Sequence, residues 1–189
     1  MARAPADDLG ITMDELRLVT RYVLVSADEI LPVFEAANRE DPRPRAAVDA
    51  ARLFVDGAAR SRLQRVTSLA AHRAAREVDD EQARCAARAA GDAAAAAYLH
   101  PPEQVRTWTS ARARETQVGH VLRAAAHAAR VAELRAGDDH GVGARHVEQS
   151  FRRASPGLVD VVRRYPRIAA GRNRVAQLTS ALDELLRQP

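Results

Sequence analysis

Between Ala89 and Leu99 the chain carries a single charged side chain, Asp92, in a run otherwise made of Ala, Gly and Tyr. An ionised carboxylate in so apolar a helix is costly unless it is paired. Two readings stand side by side: an ion pair with an Arg from another helix, or a carboxyl of raised pKa at a functional site, where perturbed groups cluster. A second set of chemically capable residues lies further on. His120 and His127 are two helical turns apart, on one stripe with Thr116 and Arg123. At 100° per residue this stripe is opposite the Val118, Leu122 and Ala125 face. It is either a solvated polar face or the wall of a groove to which His72 and Asp92 contribute from neighbouring helices. Tyr98 completes the set of candidate partner- or ligand-binding residues.

Much else is excluded by spacing. The six His lack the His-Glu-x-x-His pattern of a zinc protease, the Cys/His pairs of a structural zinc site, and the inward Glu-x-x-His pairs of a carboxylate-bridged centre. We therefore expect no metal and no cofactor, and assign no catalytic residue. Nucleophile elbow, phosphate-loop and dinucleotide fingerprints are missing from the sequence. Asp79-Asp80-Glu81 suits a helix N-terminus, where negative charge meets the dipole, better than a diphosphate-binding motif. Cys85 is the only cysteine. It is expected to be a buried, inert thiol, and an intrachain disulfide is impossible.

These residues need helices to position them. About a fifth of the positions are Ala, the strongest helix former, and aromatics make up only 4%. No useful period-2 alternation and no internal repeat occurs. The expected architecture is all-α: a single-domain multi-helix bundle with a central Ala-rich helix and a C-terminal amphipathic helix. Residues 1–11 read as a disordered arm, 12–165 as the bundle, and 166–189 as a docking or dimerising C-terminal helix.

Thr12 and Glu15 have capping-box spacing, and Leu16, Val19, Val23, Ala27, Ile30 and Phe34 form one apolar stripe of a first helix. Pro32 predicts a kink or restart near Asp28. Pro44 opens a second helix, about 44–58. A third, 62–78, is expected to bury Leu63, Val66, Ala70 and Ala74. Asp79 or Asp80 caps a fourth, about 80–99; being apolar all round, it belongs in the middle of the bundle. After Pro101-Pro102 a weak segment with Val105 and Trp108 leads to a strong helix, about 116–135. Residues 137–143 read as a flexible loop with Gly137 as a cap. Helices at 144–153, 156–165 and 173–187 follow. The last places Val175, Leu178, Leu182 and Leu185 on a short a/d seam that either docks on its own bundle or pairs with a second copy.

Every basic residue is Arg, and the formal charge is +4. The guanidiniums are scattered among 25 acidic residues and form no run of like charge, so a nucleic-acid partner is not favoured. No uncharged apolar stretch approaches the roughly 18 residues of a membrane span. A cytoplasmic protein is expected.

Several stretches resemble, in order, a known family. They are Arg21-Tyr22, Asp28-Glu29-Ile30-Leu31-Pro32-Val33-Phe34-Glu35, Asp41-Pro42-Arg43-Pro44, Ala50-Ala51-Arg52, Ala70-Ala71-His72-Arg73-Ala74-Ala75-Arg76 and Ala86-Ala87-Arg88-Ala89-Ala90-Gly91. Together they resemble the putative immunity protein family, small helical bacterial proteins related to the fifth immunity class of polymorphic toxin systems. The resemblance spans roughly residues 14–165. It departs at Asp92, where His or Gln is expected, at an inserted segment 101–117, and at the tail 166–189. It implies a non-enzymatic protein that neutralises a cognate toxin through a helical surface. The competing expectation is a small-molecule protein of specialised metabolism, a self-resistance binder or tailoring enzyme. That alternative needs an enclosed cavity of about 300–1,000 Å³, walled mostly by Ala and Val, beside the Ala-rich helix and touching the helices of His72, Asp92 and His120.

Overall fold

A computed structural model describes residues 10–188 of the chain; most of the expected N-terminal arm lies outside the described residues. Helices α1 (Met13–Ala37), α2 (Arg43–Val55), α3 (Arg62–Glu77), α4 (Glu81–Ala96), α5 (Pro102–Thr107), α6 (Ala111–Arg135), α7 (His140–Arg152), α8 (Pro156–Arg164) and α9 (Arg174–Leu186) follow in chain order. The protein is an all-α multi-helix bundle. Among the described residues no helix is long and apolar enough to cross a membrane.

The start of α1 is fixed by the predicted capping box: Thr12 Oγ1 accepts from the Glu15 N–H at 3.1 Å, and Glu15 Oε2 accepts from the Thr12 N–H at 2.7 Å. Pro32 does not restart this helix, which α-helical pairing carries from Met13 to Ala37. Without an N–H, Pro32 forfeits the hydrogen bond to the Asp28 carbonyl, and its ring is exposed.

Helix α4 is central, packing against α1, α2, α3 and α6. Its Ala side chains at 83, 86, 87, 89, 90, 93, 94 and 96 are fully buried. Small side chains let four neighbours share one helix, because interaxial distance follows side-chain size.

Helix α3 buries Ala74 as expected and half-buries Ala70, but it turns the other two expected core residues outward. Leu63 and Val66 are 45% and 48% exposed, and Leu69 53%. The inner face is built instead from Gln64, Thr67, Ser68, Ala71, Ala74 and Ala75. Those polar groups are satisfied: Gln64 Nε2 donates to the Ala50 carbonyl, Thr67 Oγ1 to Leu63 and Ser68 Oγ to the Gly91 carbonyl of α4, at 3.1, 2.9 and 2.8 Å. Burial of bonded polar atoms is tolerable, and short side chains suit the close approach to α4.

Helix α6 begins at Ala111, capped by Ser110, five residues before the expected start. The supposed flexible loop 137–143 is mostly helix. Gly137, at φ +71°, and Asp138, at φ +67°, complete a Schellman-type ending in which the Asp138 N–H reaches the Glu133 carbonyl and the Gly137 N–H the Leu134 carbonyl. Asp139 then caps α7 at once. Gly141 and Gly143 are therefore helical rather than loop residues.

Helix α9 packs on α6, α7 and α8. Leu178 and Leu182 are buried within the single chain, as is Leu186, while Val175 and Leu185 are half-buried against the same core.

Candidate functional site

Asp92 is 1% exposed and forms the centre of a cluster drawn from three helices. His120 of α6 places Nδ1 2.6 Å from Asp92 Oδ1, and Arg123, one turn later, reaches Oδ1 through Nη2 at 3.0 Å and Oδ2 through Nε at 3.3 Å. His72 of α3 approaches from the other side, Nε2 to Oδ1 at 3.8 Å. Since the carboxylate can only accept, His120 Nδ1 carries a proton and donates it. Arg123 Nη2 lies 3.2 Å from that Nδ1 but has no lone pair there to bond.

Two glycines make room for the cluster. A Cβ on Gly91 would lie 2.7–2.9 Å from ring atoms of His72, and one on Gly119 would lie 2.5 Å from Nη1 of Arg123. Glycine in a helix interior costs about 1 kcal/mol against Ala, and here both are placed where a side chain would displace a cluster member.

The electrostatics settle the first of the two readings of Asp92. Burial alone would raise its pKa, but Arg123 and the His120 hydrogen bond outweigh it and hold the carboxyl well below its usual range. Asp92 is an ion-paired carboxylate and not a raised-pKa acid. Burial pushes the His72 pKa down against the attraction of Asp92. His127 is 2% exposed, its Nδ1 finds no hydrogen-bond partner among the described residues, and burial pushes its pKa down to about 3. The stripe of His120, Arg123 and His127 is therefore not a solvated face, because α6 is packed against α1, α4, α7 and α9.

His72, Asp92 and His120 bring three potential metal-ligand atoms within 4.8 Å of one another. The Arg123 guanidinium already supplies the positive charge at the shared oxygen, so this donor set fits an arginine rather than a metal ion.

Beside the cluster, between α3, α4, α6 and the start of α9, runs a cleft of about 700 Å³. His72, Asp92, Arg123 and His127 all line it. Its walls are Arg-rich, with Arg76, Arg84, Arg88 and Arg174, and not the expected Ala and Val. A second cleft of about 480 Å³ is lined by His120 and Tyr98 together with Arg60, Arg65, Ser68 and Gln117. Tyr98 is drawn there by a hydrogen bond from its hydroxyl to the Ser61 carbonyl, with Arg60 stacked 5.1 Å over its ring. Thr116 is half-buried, one turn before His120, and lines neither cleft. Cys85 is buried, and its thiol is pushed up to about 11, which keeps it protonated and unreactive.

A second buried carboxylate went unpredicted. Glu133 of α6 is 0% exposed; both its oxygens accept from Arg174 Nε, at 2.9 and 3.0 Å, and Arg130 Nη1 donates to Oε2 at 3.1 Å. The available signal was its register, since Glu133 continues the apolar stripe Leu122, Ala125, Ala129 one turn further on.

Residues 11–101 match the Imm-5 like putative immunity protein family. The immunity-family match covers α1 to α4, and with them His72, Asp92 and the exposed row of α3. It ends at Pro101, short of the residue 165 expected from the sequence, so His120, Arg123 and His127 lie beyond it. No curated protein and no solved structure matches the chain. The family supports an immunity-type role.

Proposed function

We propose that the protein is a non-enzymatic immunity protein that neutralises a cognate toxin by docking it on the outer face of α3. One observation carries this reading. Within the stretch that matches the immunity family, the largest apolar side chains of α3 point away from the core, with Leu63, Val66 and Leu69 about half exposed at intervals of three. An exposed apolar row rimmed by polar groups marks an interaction surface. Arg62, Arg65 and Arg73 are exposed on the same helix and make no ion pair among the described residues. The partner that suits this face has an apolar centre and an acidic rim, since charge complementarity sets register and speeds encounter. A basic toxin surface would be repelled.

The test is co-expression with the product of each gene adjacent to the one for this chain, scoring toxicity and its relief. Growth is restored, and a stable complex burying about 1,200–2,000 Å² in total forms. Replacing Leu63, Val66 and Leu69 by Glu together leaves the melting temperature within about 2–4 °C of wild type, as expected for exposed positions. It weakens the complex at least about 30-fold, the effect of losing a hot spot. A triple variant that still rescues growth and binds with unchanged affinity would overturn the proposal.

A further inference from the structure

We infer a ligand site distinct from the α3 docking face: the cleft beside Asp92 binds a small molecule through a phosphate or diphosphate group. Five guanidiniums line the cleft, from Arg76, Arg84, Arg88, Arg123 and Arg174, against the carboxylates of Glu81 and Asp92. Arg123 is held by Asp92, Arg174 by Glu133, and Glu81 by Arg130. That leaves three cations without an anionic partner among the described residues. The Arg84 side chain donates to the neutral carbonyls of Val78 and Asp79, while the guanidiniums of Arg76 and Arg88 make no hydrogen bond among the described residues. Cations gathered along one cleft raise the local concentration of anions.

Three further features favour a phosphate over a single carboxylate. A net surplus of three positive charges exceeds what one carboxylate neutralises, whereas guanidinium forks match the several oxygens of a phosphate group. The first turn of α9, Arg174 to Ala176, forms part of the wall. The Ala176 N–H there is capped by Asn173 Oδ1 at 2.9 Å, so this turn adds only the partial positive charge of a helix N-terminus. The volume, about 700 Å³, falls in the range of small-molecule sites. Among the described residues no Phe, Tyr or Trp lines this cleft, so recognition is through the charged group and a polar body rather than by stacking on a flat ring.

The mouth of the cleft and the outer face of α3 are separable by mutation. Arg84 and Arg88 belong to α4 and make no ion pair among the described residues, so neutralising them removes charge without stranding a buried carboxylate. The experiment is isothermal titration calorimetry of the full chain with sodium pyrophosphate, and in parallel with sodium citrate, at constant ionic strength. The expected result is saturable one-to-one binding of pyrophosphate, at least tenfold tighter than citrate. Arg84→Gln and Arg88→Gln each weaken it at least tenfold, while Arg62→Gln on the outer face of α3 leaves it unchanged. Circular dichroism of both α4 variants confirms the retained helix content. The proposal is overturned by an absence of saturable binding, by citrate binding as tightly as pyrophosphate, or by undiminished affinity in both α4 variants. Because the readout contains no toxin, its failure leaves the α3 docking reading untouched, and the reverse also holds.

Discussion

Asp92 and Glu133 are both buried carboxylates on helices dominated by Ala, and they are housed differently. Glu133 is closed off: Arg174 grips both its oxygens, Arg130 takes one of them and continues to Glu81 and Asp138. The result is a clasp that fastens α9 to α6. Asp92 is bound by one arginine and one histidine, faces a second histidine at 3.8 Å, and forms part of an open cleft. A structural ion pair saturates its members, while a site leaves groups with unused capacity. Here these are the Nε2 of His120, the ring of His72 and the arginines along the cleft wall.

The largest expected effect separates the two by what comes loose. Truncating one partner of a buried pair costs about 3–5 kcal/mol, because a charge is left uncompensated. Asp92→Ala and Glu133→Ala should both fall near that range in chemical denaturation. Hydrogen exchange distinguishes them: in Glu133→Ala the amides of α9 exchange faster than those of α4, whereas in Asp92→Ala the protection lost is shared by α3, α4 and α6. Uniform acceleration in both variants would break the distinction between clasp and site.

Acid provides the next contrast, because buried neutral histidines belong to the Asp92 side alone; His140, beside Glu133, is exposed. The folded-state pKa of His127 lies near 3, below its ordinary value of 6.5. The unfolded chain therefore binds the proton first, and the stability is fully present above pH 6.5 and is lost as the pH falls toward 3. At 1.36 kcal/mol per unit the loss is about 3 kcal/mol by pH 4. His72, also depressed by burial, adds in the same direction, and Asp92 contributes only below its ordinary 3.8. His127→Leu should flatten the denaturation profile between pH 6.5 and 4. At pH 7 it costs little, since it deletes a buried nitrogen without a partner. An unchanged acid limb in that variant would show that the instability arises elsewhere.

Legibility in the sequence follows the same division. The position of α4 could be read from its Ala run, and the presence of a partner for Asp92 from the cost of burying a lone charge. Both inferences rest on one residue and its immediate neighbours. That His120 rather than arginine alone would serve Asp92 depends on the register between α4 and α6, which a single helix does not reveal. Helix α3 was misread because periodicity counts Leu63 and Val66 as core. Gln64, Thr67 and Ser68 took the inner face once Ala50, Leu63 and Gly91 offered them carbonyls. The Glu133 clasp was hidden for a similar reason: Arg174 is 41 residues away, and the flexible appearance of Gly141-Val142-Gly143 concealed a helix whose glycine gives way to a carboxylate.

That last glycine has a counterpart beside Asp92, and the pair yields the smallest and most specific contrast. A Cβ on Gly143 would lie 1.9 Å from Glu133 Oε1, while one on Gly91 would meet the edge of the His72 ring at 2.7 Å. The Glu133 carboxylate is pinned by two arginines and has nowhere to go, so Gly143→Ala should cost about 1–3 kcal/mol as an overpacked site. His72 is half-buried at the lip of a cleft and can swing outward. In Gly91→Ala the helix gains about 1 kcal/mol of propensity, which offsets the displaced contact and leaves the net change near zero. The ring should report its move directly: freed from the burial that depresses its pKa, His72 should titrate at higher pH in an NMR pH series of Gly91→Ala than in wild type. An unmoved His72 titration together with a loss of stability like that of Gly143→Ala would mean that the Asp92 side is as tightly closed as the clasp.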